Sequence, residues 1–328
     1  MHRYFYLIWL LTGAAVIQAS SAELRIGIVG TDSSHCIQFA KLLQGPNSPD
    51  HIEGARLVAA FKGGSPDIEN SISRVDGYAT DLEKNYGVKI CNTIDEVAAQ
   101  VDAIMILSLD GRKHLPQAKE TFRFKKPVFV DKPAGGRLAE AIALFRPAKE
   151  AGVVAFSASS LRFGPAMARL KATNVGAVQG AFSYGPAQTE PHHPDLFWYG
   201  IHSVEALYAV MGVGCQTVVR TSTQNADIVT GIWADGRTGT VRGIRNAPAQ
   251  YGLILFGSKG VATREPGQSY APLLHEIVKF FQTGIAPVSP DETIEDLAFM
   301  EAADESKRRG GIPVPIAEVM KTAALQSP

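Results

Sequence analysis

Cysteine is scarce in this chain, with only Cys36, Cys91 and Cys215 among 328 residues. Three widely spaced thiols, an odd number, exclude a disulfide framework as the basis of the fold. Each lies in an apolar or strand-like stretch, which predicts buried, unreactive thiols. An excess of either charge is missing too, since 32 basic residues balance 32 acidic ones. Nothing therefore draws the chain to nucleic acid or to an anionic membrane surface. The short ESKRRGG segment near the C-terminus reads as a solvated helix end. No internal repeat or low-complexity segment stands out. Long apolar runs are absent apart from YLIWLLTGAAVI near the start, about a dozen residues and short for a membrane span. It follows the positive charge of MHRYF and leads to QASSAE, with small residues at Ser20 and Ala22. That order reads as a secretory signal over residues 1–22, with an uncleaved anchor as the alternative. A twin-arginine pair is lacking, so the expectation is export of the unfolded chain, to a periplasmic or extracellular destination, with no membrane attachment after cleavage.

What the chain does have is alternation. LRIGIV, RLVAAF, DAIMILSL, KPVFVDKP and VVAFSAS are short, near-continuously apolar runs, as parallel strands buried on both faces should be. Between them, residues such as Cys36, Phe39, Ala40 and Leu43 recur at helical spacing, with Ser33 or Ser34 as N-cap. IDEVAAQ and HLPQAKETF read as helices, as does a segment from Arg137 to Glu150 that Pro147 kinks or ends early. The pattern predicts an α/β, Rossmann-like, doubly wound parallel sheet over residues 23–155. Beyond about residue 160 the runs GAVQGAFSYG, QTVVRTST, DIVTGIWADGRTGTVRGI and YGLILFGSKGVAT predict a mostly antiparallel open sheet. With the helices HSVEALYAVMG and DETIEDLAFMEAADESKRRGG they form an α+β second domain, residues 156–328, and the cleft lies between the two domains.

The turn after the first strand lacks glycines where a dinucleotide turn uses them. RIGIVGTDSSHC keeps Gly30 for the tight turn. Asp32 then stands where the backbone approaches a pyrophosphate, and His35 where a helix packs closely on its strand. Thr31, Ser33 and Ser34 still offer hydroxyls and amides to an anion at a helix N-terminus. The expectation is that Asp32 bonds amides or a ribose hydroxyl rather than facing phosphate. An acidic residue ending the second strand, the usual partner of an adenosine ribose, is missing as well. Lys62 and Ser65 stand there instead, either as surface residues or as contacts to the 2′-phosphate of NADP.

PVFVDKPAGG, with Asp131 and Lys132 at the end of a late strand, resembles the glucose–fructose oxidoreductase/inositol dehydrogenase (Gfo/Idh/MocA) family. IGIVG, WYGIHSVEALYAVMG and EAADESKRRGGIPVPI resemble it in the same order, so the likeness spans the mature chain. It implies NAD or NADP as cofactor and hydride transfer to or from a sugar, cyclitol or related polyol. It also implies a homo-oligomer built on the open sheet. By this likeness Lys132 lies beside nicotinamide and substrate, where an ammonium stabilises charge on the reacting oxygen. His202 takes the place of the family's proton acceptor or donor, but the aspartate expected four residues earlier is Trp198. Glu205 or Tyr199 is expected to orient His202 instead. Arg162 matches a frequent arginine, assigned to substrate or cofactor. The loop Ser108 to His114, with Asp110 and Arg112, is placed at the nicotinamide ribose, and Asp131 with it. Asp110 and Arg112 read equally as a turn and its solvated neighbour.

His192, His193 and Asp195 place three ligand types in four residues, yet adjacent loop histidines seldom share an ion, and no metal is expected. A substrate loop is the better reading of PHHPDLFWYG, with Trp198 and Tyr199 stacking on a sugar face or simply packing in the core. Two functions stay open: an exported oxidoreductase, and a non-redox or non-catalytic sugar-binding relative that has lost the dinucleotide.

Overall fold

The computed structural model describes residues 23–327 except 46, 265, 266 and 268. The expected signal segment, 1–22, lies outside the described residues. Among those described, no helix is long and apolar enough to cross a membrane.

The first half alternates as its apolar runs require. β1 (Leu24–Val29), α1 (Ser34–Gln44), β2 (Ala55–Phe61), α2 (Glu69–Ile72), α3 (Val75–Tyr86) and β3 (Lys89–Cys91) lead to α4 (Ile94–Ala98) and β4 (Ala103–Ile106). α5 (His114–Phe122), β5 (Val128–Val130), α6 (Leu138–Ala151) and β6 (Ala155–Ser157) complete it. The six strands are parallel in the order β3-β2-β1-β4-β5-β6. The order reverses between β1 and β4, so a crevice opens outside their carboxyl ends, where such sheets bind ligands. Pro147 does not end α6 early. The helix runs on to Ala151 and stops at Gly152, which takes φ 69°, the left-handed cap that suits glycine.

The second half begins with α7 (Pro165–Ala172), β7 (Val178–Pro186) and α8 (Ile201–Met211). β8 (Cys215–Ser222), β9 (Ala226–Trp233), β10 (Thr238–Ile244), β11 (Gly252–Gly257) and β12 (Gly260–Arg264) then form hairpins. α9 (Ala271–Thr283), α10 (Pro290–Arg308), β13 (Val314–Pro315) and α11 (Ile316–Gln326) close the chain. Seven strands make one sheet, antiparallel except where β7 lies parallel to β10. The three cysteines are buried and free.

The expected division between residues 155 and 156 falls inside β6, the sixth strand of the first sheet. The first domain also recruits chain from far downstream. Leu273, Leu274, Ile277 and Phe280 of α9 pack into the core of Ile26, Ile28, Phe39, Phe129 and Phe156. The Phe156 and Phe280 rings meet edge-on at 4.9 Å. α9 thus covers one face of the parallel sheet.

Candidate functional site

The turn after β1 is built around one close approach. Gly30 has φ 96°, and a Cβ there would come within 2.5 Å of the Ser108 backbone nitrogen. Ser108 itself is buried, its hydroxyl exchanging hydrogen bonds with Gln117 at 2.8 and 3.0 Å. Gly30→Ala therefore combines a left-handed backbone with a clash against main chain. It is expected to lower stability by about 1–3 kcal/mol, read as a lower urea midpoint. An unchanged midpoint would contradict this packing.

The side chains that replace glycine in this turn face inward. Thr31 is fully buried, donating from Oγ1 to the Val75 carbonyl at 3.0 Å. Asp32 is also fully buried, accepting from the Ser71 hydroxyl at 2.6 Å and from the Leu109 amide at 3.1 Å. Burial pushes its carboxyl up, and those hydrogen bonds offset part of that. Ser33 caps α1, its hydroxyl accepting the His35 amide at 3.2 Å. Ser34 is half-buried and meets the Tyr270 phenol.

His35 does not merely crowd the third glycine position. Its Nδ1 lies 2.5 Å from Asp131 Oδ2, with both side chains buried. Its ring stacks on Phe39 at 5.6 Å and meets Tyr270 at 4.7 Å. Asp131 also accepts the Lys132 amide at 2.8 Å. Burial alone would raise its carboxyl, but His35, Lys132 and His114 bring it below the ordinary range. Asp131 is thus an internal partner of His35, not an open ligand. Lys132 follows it half-buried, and its Nζ donates no hydrogen bond to a described residue.

His202 opens α8 on the other side of the cleft. Burial first, then Lys132 and His35, hold its imidazole well below the ordinary value, with Asp131 opposing. The ring is oriented by Ser159, not by Glu205 as expected. Ser159 Oγ and His202 Nδ1 are 2.8 Å apart. Glu205 points to Arg162 instead. Arg162 is correspondingly unavailable as a substrate contact, because its buried guanidinium is ringed by Glu205, Glu292 and, at 2.8 Å, Asp296. Tyr199 is 41% exposed and 6.2 Å from the His202 ring, on the cleft side, while Trp198 is buried against His193 at 4.9 Å. Of the two aromatics, then, only Tyr199 is open to a ligand. Tyr251 adds a ring at 5.4 Å from His202.

The remaining expected residues are spent on structure. Asp110 is buried and caps the turn before α5 through the Arg112 amide at 2.9 Å, while Ser65 donates to it at 2.6 Å. His193 Nε2 stands 3.0 Å from Asp110, an ion-pair distance without hydrogen-bond alignment. Burial would raise the Asp110 carboxyl, but His193, Arg112 and Ser65 hold it far below its ordinary value. His114 is buried with its ring nitrogens at the Pro133 and Ser108 carbonyls, 2.7 and 2.8 Å away. Lys62 is a surface residue paired with Asp76 at 2.7 Å. His192, His193 and Asp195 turn respectively to Glu190, Asp110 and the Arg220–Lys307 pair, so they share no centre.

Residues 24–159 match the family model described as "Oxidoreductase family, NAD-binding Rossmann fold", that of the Gfo/Idh/MocA proteins. The first domain belongs to the Gfo/Idh/MocA oxidoreductases. No curated protein matches the chain by sequence. Solved structures share the fold over nearly their whole length. GenD2 from gentamicin A biosynthesis, in complex with NAD, is 19% identical with a TM-score of 0.73, covering 90% of this chain and 97% of its own. Scyllo-inositol dehydrogenase from Lactobacillus casei, with bound NAD(H) and scyllo-inositol, is 16% identical with a TM-score of 0.73, covering 90% and 99%. Myo-inositol 2-dehydrogenase from Lactobacillus plantarum is 17% identical with a TM-score of 0.73, covering 89% and 99%.

A Gfo/Idh/MocA domain implies a nicotinamide dinucleotide, and the turn after β1 fits one in an altered form. Gly30 keeps the tight turn, and the buried Asp32 presents no charge at its surface. The Ser33 and Ser34 amides at the start of α1 donate to no described residue, which leaves them to an anion. Lys132 and Ser159, the partner of His202, both lie just beyond the carboxyl ends of the neighbouring strands β5 and β6. Ser159, His35, Tyr251 and Tyr270 are the site residues that the sequence reading had not assigned to it.

Proposed function

We propose that the chain transfers a hydride between a nicotinamide cofactor and a hydroxyl-bearing carbon of a sugar, cyclitol or related polyol. The observation that carries this reading is the placement of Lys132 and His202 together: Lys132 lies just past the end of β5, and His202 is bonded to Ser159, just past the end of the paired strand β6. The bound cofactor supplies the hydride acceptor or donor. Lys132, whose ammonium donates to no described residue, holds the reacting oxygen and stabilises charge on it. His202, kept neutral, takes or returns the hydroxyl proton at Nε2, because Nδ1 is held by Ser159. Tyr199 offers a ring face to the apolar side of a sugar.

The test is a panel of polyols and sugars with NAD and NADP, followed at the nicotinamide absorbance. The pH profile of an accepted substrate carries a specific expectation. A free imidazole titrates near 6.5, and His202 titrates well below that. The neutral base should therefore persist as pH falls through 6.5, so kcat/KM stays level there and drops only at lower pH. In a His202→Gln variant that limb should vanish. A limb centred at or above 6.5 would remove His202 from the role.

The reading includes a homo-oligomer. Ile232, Thr238, Gly180, Phe256 and Val261 lie directly opposite one another along successive strands, so they share one face. Ile232, Phe256 and Val261 are 49%, 39% and 61% exposed, an apolar row suited to a second copy. Sedimentation is expected to find a dimer or larger, reduced to monomer by Ile232→Asp with Val261→Asp. A monomeric wild type would contradict it.

A further inference from the structure

Arg264 ends β12 at 5% exposure. Among the described residues its side chain makes one hydrogen bond, from Nη2 to the Gly267 carbonyl at 2.8 Å. Its Nε is buried without a partner among the described residues. The other two arginines buried among those residues are ringed by acids, Arg162 by Glu205, Glu292 and Asp296, and Arg220 by Asp195, Asp227 and Asp304. Arg264 has no such counter-ion there, and burial alone pulls its guanidinium below the ordinary value. A buried cation is costly unless something pairs with it.

The space beside Arg264 suits an anion. Arg264 lines a hollow of about 300 Å³ together with Ser160, Phe163, Ala166, Arg169 and Ser269, and no acidic side chain among the described residues lines it. α7 begins at the same hollow. Gly164 and Pro165 start this helix without a side-chain cap. Ala168 donates to the Gly164 carbonyl at 3.0 Å, and the earlier amides of Ala166 and Met167, at the positive end of the helix, donate to no described residue. Buried guanidinium and helix terminus are separate observations, and both point to negative charge.

Two residues of the hollow are chain neighbours of residues in the proposed catalytic cleft. Ser160 follows Ser159, the partner of His202. Ser269 precedes Tyr270, whose ring lies 4.7 Å from His35. We infer that this hollow receives an anionic substituent of the substrate, a carboxylate or phosphate carried by the sugar or polyol, with Arg264 and the first amides of α7 as its donors. The inference rests on the hydride-transfer reading of the neighbouring cleft and narrows its substrates to acidic sugars or polyols.

Calorimetric titration of inorganic phosphate and of D-glucuronate into the folded chain without cofactor tests it. The wild type is expected to bind at least one, more weakly as salt rises, and Arg264→Met to lose about 10- to 100-fold in affinity. Arg264→Lys keeps the charge but not the planar fork and should fall between. In phosphate-free buffer Arg264→Met is expected to raise Tm, since it removes an unpaired buried charge. NAD titration should be unchanged in both variants, so a wild type that binds phosphate or glucuronate but no dinucleotide would fail the cofactor reading and leave this site standing. Glucuronate binding without phosphate binding assigns a carboxylate, and the reverse a phosphate. A wild type that binds neither, or an Arg264→Met variant that binds as the wild type does, overturns the inference.

Discussion

Lys132→Ala is expected to lower kcat by about 10²- to 10⁴-fold while leaving the fold intact. The Lys132 ammonium donates no hydrogen bond to a described residue, so truncation orphans no partner and the loss falls on the chemistry. His202→Ala should cost a similar factor, and the double variant little more than either single one, because the two groups act on one oxygen. A second readout separates chemistry from structure. The Lys132 charge is, after burial, the main influence depressing the His202 imidazole. Its removal should therefore move the acid limb of the residual activity to higher pH. Hydride transfer at the wild-type rate in the Lys132→Ala, His202→Ala double variant would contradict the assignment.

Arg162→Met is expected to destabilise the fold by about 3–5 kcal/mol through charges it leaves behind. The guanidinium joins the turn after β6 to α8 and α10, and the Glu205 and Asp296 side chains are 2% and 1% exposed. Burial pushes both carboxyls up, and Arg162 pulls against it. Without the arginine they hold their protons to still higher pH. Between about pH 4, where free carboxylates titrate, and those raised values, the folded variant binds more protons than the unfolded chain. Its stability therefore falls as pH rises. Urea unfolding of both proteins should show a larger deficit at pH 8 than at pH 5. An equal deficit at the two values would mean that lost packing, not stranded charge, is the cause.

The parallel sheet was legible because β1, β2 and β4 are apolar on both faces, a pattern that needs no distant information. The hairpins of the second sheet were legible from their glycine turns. α9 escaped, although it covers the first sheet, because nothing local tells that a helix so far along the chain returns to the first domain. The site divides in the same way. Lys132 and His202 stood out by the motifs around them. The partner of His35 did not, since Asp131 lies 96 residues away and only the strand order brings them together. Arg162 looked like a ligand-binding arginine until its acids arrived from α8 and α10, 43, 130 and 134 residues away. Ser159 carries no motif at all; its role exists only because β6 ends opposite α8.

Lys132 and His202 have hydride chemistry to perform only if the altered turn after β1 still holds a dinucleotide beside them. Calorimetric titration of NAD and NADP into the chain beginning at Glu23 asks this directly. The expected result is one-to-one binding of at least one form in the micromolar range, weakened by Gly30→Ala. Absence of binding for both forms at millimolar concentration would contradict the account and leave a sugar-binding relative without redox chemistry in its place.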